Sequence, residues 1–187
     1  FPRRSGGVVP MPAPPRTRLF HKGLEALVMV PKCFALAGTL IAFSERGLDS
    51  QGNILAFLVG GKTSGQFTVR RTDNFDISDA VLLPSGDLLL LERKFSLLGG
   101  IGIRIRRIAL SAVVPGAVID GPSIFNADLG NEIDNMEGID APLPPDAHPV
   151  LTLVSHQHFP MTHPNLLLQF PPGREPFNHR PQPTTPP

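Results

Sequence analysis

The sequence contains no tryptophan and no tyrosine, and Cys33 is its single cysteine. One cysteine excludes an internal disulfide and a zinc site built from cysteines. Charge of one sign is also lacking, because 17 Lys and Arg face 16 Asp and Glu and leave a formal net charge of +1. A nearly neutral chain has no overall field to attract nucleic acid, so we predict no nucleic-acid partner.

Long apolar runs are missing as well. None approaches the roughly 18 residues of a membrane-spanning helix, and the N-terminus lacks the basic-then-apolar order of a signal peptide. We therefore predict that the chain does not span a membrane. It opens with Phe1 and not with Met, from which we expect an N-terminus cut by processing or a piece of a longer protein.

Proline is abundant, with 22 residues, and it is concentrated at the two ends of the chain. Residues 1–18 hold five Pro and four Arg, and residues 172–187 are also rich in Pro and show no apolar periodicity. Such segments cannot bury enough apolar surface to offset the entropy of folding. We predict disordered ends at 1–18 and 172–187 and one folded region at 19–171.

Within the predicted folded region, apolar runs of four to eight residues are separated by Gly, Asn-Asp or Pro-Ser-Gly-Asp. This punctuation is typical of β-strands. The clearest hairpin joins Ala80–Leu83 to Leu88–Leu91 through Pro84-Ser85-Gly86-Asp87, and its continuous apolar strands predict burial on both faces. The fold class predicted is all-β.

A repeat extends this prediction. Three times, a short apolar run with a carboxylate near its start is followed after a turn by a second apolar strand with a polar end. Repeats of this size, slightly longer than the roughly 40 to 50 residues of a propeller blade, stack or circle. We predict a partial β-propeller of three to four blades. The three copies start at Gly23-Leu-Glu-Ala-Leu27, Ile77-Ser-Asp-Ala-Val81 and Asn135-Met-Glu-Gly-Ile139.

The segment 100–108 alternates Ile with Arg. A strand with one buried and one solvated face has this period of two. We therefore expect Arg104 and Arg106 to share a face in contact with water.

Carboxylates recur at matching places in the repeats. In a propeller, equivalent residues of the innermost strands converge on a central channel. Clustered carboxylates repel unless a hard cation or a cationic substrate neutralises them, and Ca²⁺ or Mg²⁺ suits such oxygen ligands. The alternative is that each carboxylate caps a turn or pairs with Arg46, Arg93 or Lys94. The early carboxylates are Glu25, Asp79 and Glu137, and the later ones are Glu45 and Glu92.

Histidines offer a second pattern. His156 and His158 are two residues apart on a predicted strand and would face the same side, with His163 nearby. Three such side chains suit a transition metal. The alternative is that they are solvated residues of an irregular loop, as Pro160 and Pro164 indicate.

Several segments together resemble one family, the phytase-like domains, whose bacterial members carry the label "esterase-like activity of phytase". The resemblance covers roughly residues 19–171 and lies in the order and spacing of the segments. They are Lys22-Gly-Leu-Glu-Ala-Leu27, Phe75-Asp-Ile-Ser-Asp-Ala80, Leu88-Leu-Leu-Leu-Glu-Arg-Lys-Phe-Ser-Leu-Leu-Gly-Gly100, Glu132-Ile-Asp-Asn-Met-Glu-Gly-Ile139 and Leu166-Leu-Leu-Gln-Phe170.

This resemblance implies a β-propeller in an exported bacterial protein, periplasmic or secreted, that hydrolyses a small anionic ester or phosphoester with the help of Ca²⁺. It implies catalysis by Glu92 and Arg93. Substrate binding is assigned to Arg93, which would hold a phosphate, and to Lys94 and Asn135. The implied calcium ligands are Glu25, Asp79, Asp134 and Glu137.

One segment departs from the family pattern. Residues 155–159 read Ser-His-Gln-His-Phe where the family tends to read Ser-Asp-Asp-Asn-Phe, so two acidic groups are replaced. Two rival interpretations follow, a non-catalytic binding module and an inactive fragment of a larger propeller. An open ring would also leave sheet edges exposed, and we expect self-association through them.

Overall fold

The computed structural model describes residues 23–96, 100–128, 135–142, 150–156 and 166–171. These residues form β-strands and a single 3-10 turn, Leu110–Ala112, which confirms the all-β prediction. None of their helical segments is long and apolar enough to cross a membrane. The predicted disordered ends, 1–18 and 172–187, lie outside the described residues. The strands are β1 Leu24–Met29, β2 Leu40–Leu48, β3 Ile54–Val59, β4 Gly65–Val69, β5 Asp76–Leu82, β6 Asp87–Ser96, β7 Gly100–Ala109, β8 Val118–Ile119, β9 Ser123–Asp128, β10 Met136–Asp140, β11 Leu151–Ser155 and β12 Leu167–Phe170.

The strands form three sheets, none of which closes on itself within the described residues. Sheet 1 has the order β1-β2-β3-β4-β8, in which only the short β8 runs parallel to its neighbour. Sheet 2 has the order β5-β6-β7-β9, and sheet 3 has the order β10-β11-β12. All other neighbouring strands pair antiparallel, and most of them follow one another directly in the chain, as in a meander.

Sheet 2 lies between the other two sheets. Its Ile77 and Leu90 pack with Phe43 and Phe67 of sheet 1 in the first core. Its other face packs against sheet 3 in a second core, where the rings of Phe125 and Phe170 stack with their centroids 5.2 Å apart. The first strand of each sheet also lies beside the first strand of the next, so β1, β5 and β10 are neighbours in that order.

The central position of sheet 2 explains its leucine run. Leu88, Leu89, Leu90 and Leu91 of β6 are fully buried, and they point alternately into the two cores. This confirms the prediction of a strand buried on both faces. The turn before β6 is also as predicted, because Gly86 has the positive φ of +85° that this tight connection requires.

The three predicted repeats correspond to the strand pairs β1–β2, β5–β6 and β10–β11. Each pair carries a bulge at the same place, where the first strand has one extra residue. The bulge residues are Glu25, Ser78 and Glu137. The predicted equivalence of Asp79 with Glu25 and Glu137 is therefore wrong by one position, because the short sequence repeat does not show where the bulge falls.

The same bulges also show which residues of the second strands are equivalent. The residues opposite the start of each bulge are Ser44, Glu92 and Ser155. Glu92 is therefore equivalent to two serines, whereas Glu45 is equivalent to Arg93.

The predicted solvated face of β7 is also wrong. Arg104 is 7% exposed and Arg106 is 2% exposed. Both guanidinium groups bond to the buried carboxylate of Glu92, and Arg104 also donates to Thr72 Oγ1 at 2.9 Å. The alternation of Ile with Arg does separate two faces, but both are covered, and the charge of the polar face is neutralised inside the protein.

Candidate functional site

Three equivalent residues, one from each sheet, carry the chemistry at the ends of the second strands. Each directly follows the residue opposite the bulge, so β2 supplies Glu45, β6 supplies Arg93, and His156 follows β11. Equivalent positions in successive sheets lie at the same end of the stack. The sequence repeat thus brings an acid, a guanidinium and an imidazole to one end of the molecule.

Arg93 connects these sheets. Its Nη1 donates to Asn135 Oδ1 at 2.6 Å and to Glu137 Oε1 at 3.0 Å, and its Nη2 lies 3.7 Å from Glu45 Oε1. Asn135 in turn donates from Nδ2 to Glu137 Oε1 at 2.7 Å. We call Glu45, Arg93, Asn135, Glu137 and His156 the Arg93 cluster.

His156 lies on the outer side of this cluster. Its Nδ1 is 3.7 Å from Glu137 Oε2, and its backbone N–H donates to the carbonyl of Asn135 at 3.1 Å. Exposure falls from 65% at the His156 side chain to 32% at Glu137, 26% at Arg93 and 9% at Glu45. The cluster is therefore open to solvent on the imidazole side and closed on the Glu45 side.

The electrostatics of the cluster are close to balanced. Glu45 and Glu137 carry one negative charge each, and Arg93 between them carries one positive charge. In the cluster, Arg93 lies within 4 Å of both carboxylates, and the imidazole of His156 lies beside Glu137 on the exposed side.

Two further predicted residues lie in other surroundings. Glu92 has no exposed surface, and both of its carboxylate oxygens accept bonds from arginines. Lys94 points to the opposite side of β6 from Arg93, and its Nζ lies 4.7 Å from the centroid of the Phe75 ring. Neither side chain is part of the Arg93 cluster.

Asp79 joins sheets 2 and 3. Its Oδ2 accepts the N–H of Ile139 at 2.9 Å, and its Oδ1 accepts the N–H of Ala80 at 2.8 Å. Burial raises the pKa of this carboxyl, although both amide bonds act to lower it and the nearby Asp140 adds to the rise. Asp79 therefore anchors the inner strand β10 to β5.

The predicted calcium ligands do not come together in the described part of the chain. Glu25 is exposed on β1, Asp79 accepts two amides, and Glu137 is bonded to Arg93. No group of three or more His, Cys, Asp or Glu suited to a metal is found among the described residues. These side chains do not fit a Ca²⁺ ion, because the guanidinium of Arg93 already lies between the carboxylates of two sheets. Asp134, His158 and His163 lie outside the described residues, and calcium binding remains a prediction.

A further set of charged residues lies near the cluster and was not predicted. Asp76 pairs with Arg93 across β5 and β6, is 4% exposed, and accepts bonds from Arg46 Nε at 2.7 Å and Arg71 Nε at 2.9 Å. The only sequence signal for it is its position, since Asp76 and Asn135 each immediately precede the residue that begins a bulge. Of its two arginines, Arg46 lies in β2, and Arg71 lies in the connection from β4 to β5.

The fold and the site together define a class, an all-β protein of stacked meander sheets with a polar site at the strand ends. The sequence model of one family, Phytase-like, described as "Esterase-like activity of phytase", matches residues 5–156. The chain belongs to this phytase-like family. No curated protein and no solved structure matches it at a significant level.

Proposed function

We propose that this chain hydrolyses ester bonds and that the Arg93 cluster is its active site. The observation that supports this most is the convergence of Arg93, Glu137 and His156 from two sheets at one partly exposed place. An imidazole and a carboxylate can act in acid–base catalysis, and a guanidinium can stabilise the negative charge that develops during hydrolysis. The description of the family, which names an esterase-like activity, favours the same chemistry. The substrate class is a small anionic ester or phosphoester.

In the proposed reaction, His156 is the general base. It takes a proton from a water molecule whose oxygen bonds to the acyl carbon or phosphorus, while the bond to the leaving oxygen breaks. His156 then returns the proton to that leaving oxygen, so that an acid and an alcohol are released. Glu137 stabilises the imidazolium that forms between these two steps, as the 3.7 Å separation allows.

Arg93 and Asn135 have a different role in this proposal. Negative charge develops on the oxygen of the group under attack, and donors fixed beforehand stabilise it. Arg93 is fixed by Glu137 and by the side-chain oxygen of Asn135. Glu92 does not meet substrate in this proposal, because it has no exposed surface, and it positions the arginines of β7.

We also propose that the three sheets are successive blades of a β-propeller. The neighbouring first strands, the common bulge and the covering of both faces of sheet 2 support this arrangement. The Arg93 cluster would then lie at one mouth of the central channel. Export to the periplasm or the medium is a further proposal, supported only by the resemblance, and fractionation of a producing bacterium tests it.

The test is hydrolysis of 4-nitrophenyl acetate and 4-nitrophenyl phosphate by the full chain, with and without a chelator. We expect turnover of at least one ester that resists chelation. His156→Asn should lower kcat by about 10² to 10⁴, the usual contribution of a general base. Lys94→Gln is the matched control on the same strand as Arg93 and should change kcat by less than about twofold.

Other results would contradict the proposal. Turnover that survives His156→Asn would remove the imidazole from the mechanism. Binding of both esters without turnover would favour the non-catalytic binding module. The two hydrogen bonds that Glu137 Oε1 accepts from Arg93 and Asn135 support this alternative, because they hold the carboxylate in a fixed position. Turnover that the chelator abolishes would show that the reaction depends on a metal ion.

A further inference from the structure

Sheets 1 and 3 each expose apolar side chains, on β1 in sheet 1 and on β11 and β12 in sheet 3. In sheet 1, Leu27 is 58% exposed and Met29 is 60% exposed. The bulges place Leu27 in register with Ala80 of sheet 2 and Ile139 of sheet 3. Ala80 is 7% exposed and packs in the first core, and Ile139 is 6% exposed and packs in the second. In sheets 2 and 3, the residue at this position therefore packs against the preceding sheet.

Sheet 3 exposes apolar residues on its opposite face, the one that would contact a following sheet. Val154 is 46% exposed, whereas its equivalents Phe43 and Leu91 are fully buried against the following sheet. Leu167, which pairs with Val154, is 63% exposed. Its equivalent in sheet 2 is Ile105, which pairs with Leu91 and is fully buried. The exposed residues of sheet 3 therefore match the faces that contact a following sheet.

From these two faces we infer that a second copy of this chain completes the stack, with sheet 3 of each copy packed on sheet 1 of the other. The contact between sheets 1 and 2 and the contact between sheets 2 and 3 are two existing examples of the interface required. Closed propellers have four to eight blades in general. The three sheets formed by the described residues are too few for a closed ring, whereas two copies supply six such sheets. Each copy would present both halves of a head-to-tail interface, and such an interface forms a ring when its rotation closes.

The residues already buried on the outer face of sheet 1 limit the contact on that sheet to its first strand. Ala42, Leu55, Phe57 and Val59 form a separate buried cluster on that sheet. The exposed apolar area begins at β1, with Leu27 and Met29, next to the predicted channel. The second copy would therefore pack along β1 on sheet 1, as β5 packs along β1 within the chain. On sheet 3 it would pack along β11 and β12, which carry Val154 and Leu167.

The test is the molar mass of the full chain in solution, measured by light scattering after size-exclusion chromatography. We expect about twice the 20.2 kDa of one chain. Leu27→Glu and Val154→Glu, made separately, should each halve this mass, because every copy uses both faces. Val114→Glu is the matched control, since Val114 is 50% exposed but lies in the connection after the 3-10 turn, and it should remain a dimer.

The circular dichroism of each variant checks that it folds, which is expected because the substituted side chains are already about half exposed. A wild-type chain with the mass of one copy would overturn the inference. A mass well above two copies would overturn the closed ring and indicate an open filament. Face variants that fold and keep the wild-type mass would place the contact elsewhere and also overturn it.

Discussion

Glu92 Oε2 accepts a bond of 2.6 Å from Arg104 Nε in a place where the carboxylate side chain has no exposed surface. Arg106 bonds to the same carboxylate from the next position on this face of β7. The equivalent residues of the other two sheets are Ser44 and Ser155, whose hydroxyl groups accept backbone N–H groups. Sheet 2 alone places an ion network at this repeat position.

Glu92→Gln should destabilise the fold by about 3 kcal/mol. Removing one partner of a buried ion pair leaves the other charge without compensation, and both arginines here depend on one carboxylate. Urea unfolding measures the loss as a lower midpoint with an unchanged slope. Glu25→Gln is the control, because Glu25 is exposed on β1, and it should cost no more than about 0.5 kcal/mol. Equal stability of the two variants would show that the network adds nothing.

Asp79 and Asp87 should make opposite contributions to the pH dependence of stability. Burial raises the pKa of Asp79. Its contribution is therefore full below the ordinary pKa of about 3.9 and is lost as the pH rises through the raised folded value. The bond from Arg107 lowers the pKa of Asp87, with some opposition from burial and further support from Ser85. Its contribution is present above the ordinary pKa and is lost as the pH falls through the lowered folded value.

These signs are measured with Asp79→Asn and Asp87→Asn, by urea unfolding from about pH 3 to pH 7. The unfolding free energy of the wild type minus that of Asp79→Asn should fall as the pH rises. The corresponding difference for Asp87→Asn should rise over the same range. If both free-energy differences rose with pH, or both fell, the assignment would be contradicted. Burial would then not dominate at Asp79 while the ion pair dominates at Asp87.

The strands and their burial follow closely from the sequence, because hydrophobic period and turn residues act locally. The run Leu88–Leu91 predicted a strand covered on both faces, and the turn through Gly86 predicted its hairpin. The bulge was not predictable, since the extra residue depends on pairing with a partner strand. A shift of one residue reverses the side on which a side chain lies. The sequence repeat matched Asp79 with Glu25 and Glu137, whereas Ser78 occupies the bulge.

The candidate site was predicted in part for a related reason. Arg93, Asn135 and Glu137 were all candidates, and the structure brings them together. The pairing of Arg93 with Glu137, in place of a metal, depends on the contact between two sheets. Arg104 and Arg106 are buried together with Glu92, to which both donate. Whether this face is covered depends on the packing of another sheet, which the alternation of Ile with Arg does not indicate.

Gly61→Ala should destabilise the chain more than Gly116→Ala. Both glycines have positive φ values, +65° and +81°, so both variants strain the backbone by about 1 to 2 kcal/mol. A Cβ at Gly61 would also lie 2.3 Å from Thr39 Oγ1, whereas a Cβ at Gly116 would have no atom within 4 Å. We expect Gly61→Ala to lower the unfolding free energy by about 1 to 3 kcal/mol beyond Gly116→Ala. Equal midpoints in urea would mean that the loop at Gly61 adjusts without cost.

Calcium should change the thermal stability of the chain little. To bind Glu137, the ion would have to displace Arg93 from a bond of 3.0 Å, and Asp79 would have to release the amides that hold β10 to β5. A ligand that binds only the folded state stabilises it by about 2.7 kcal/mol at 100 times its Kd, which would raise Tm by several degrees. Unfolding in excess CaCl2 and in a chelator should therefore give the same Tm within about 1 °C.

Arg93→Gln is the informative variant, because removal of the guanidinium frees the carboxylates of Glu45 and Glu137 from that charge. A shift in this variant alone would show that the arginine takes the place of the metal, whereas a shift in the wild type would establish the predicted calcium site.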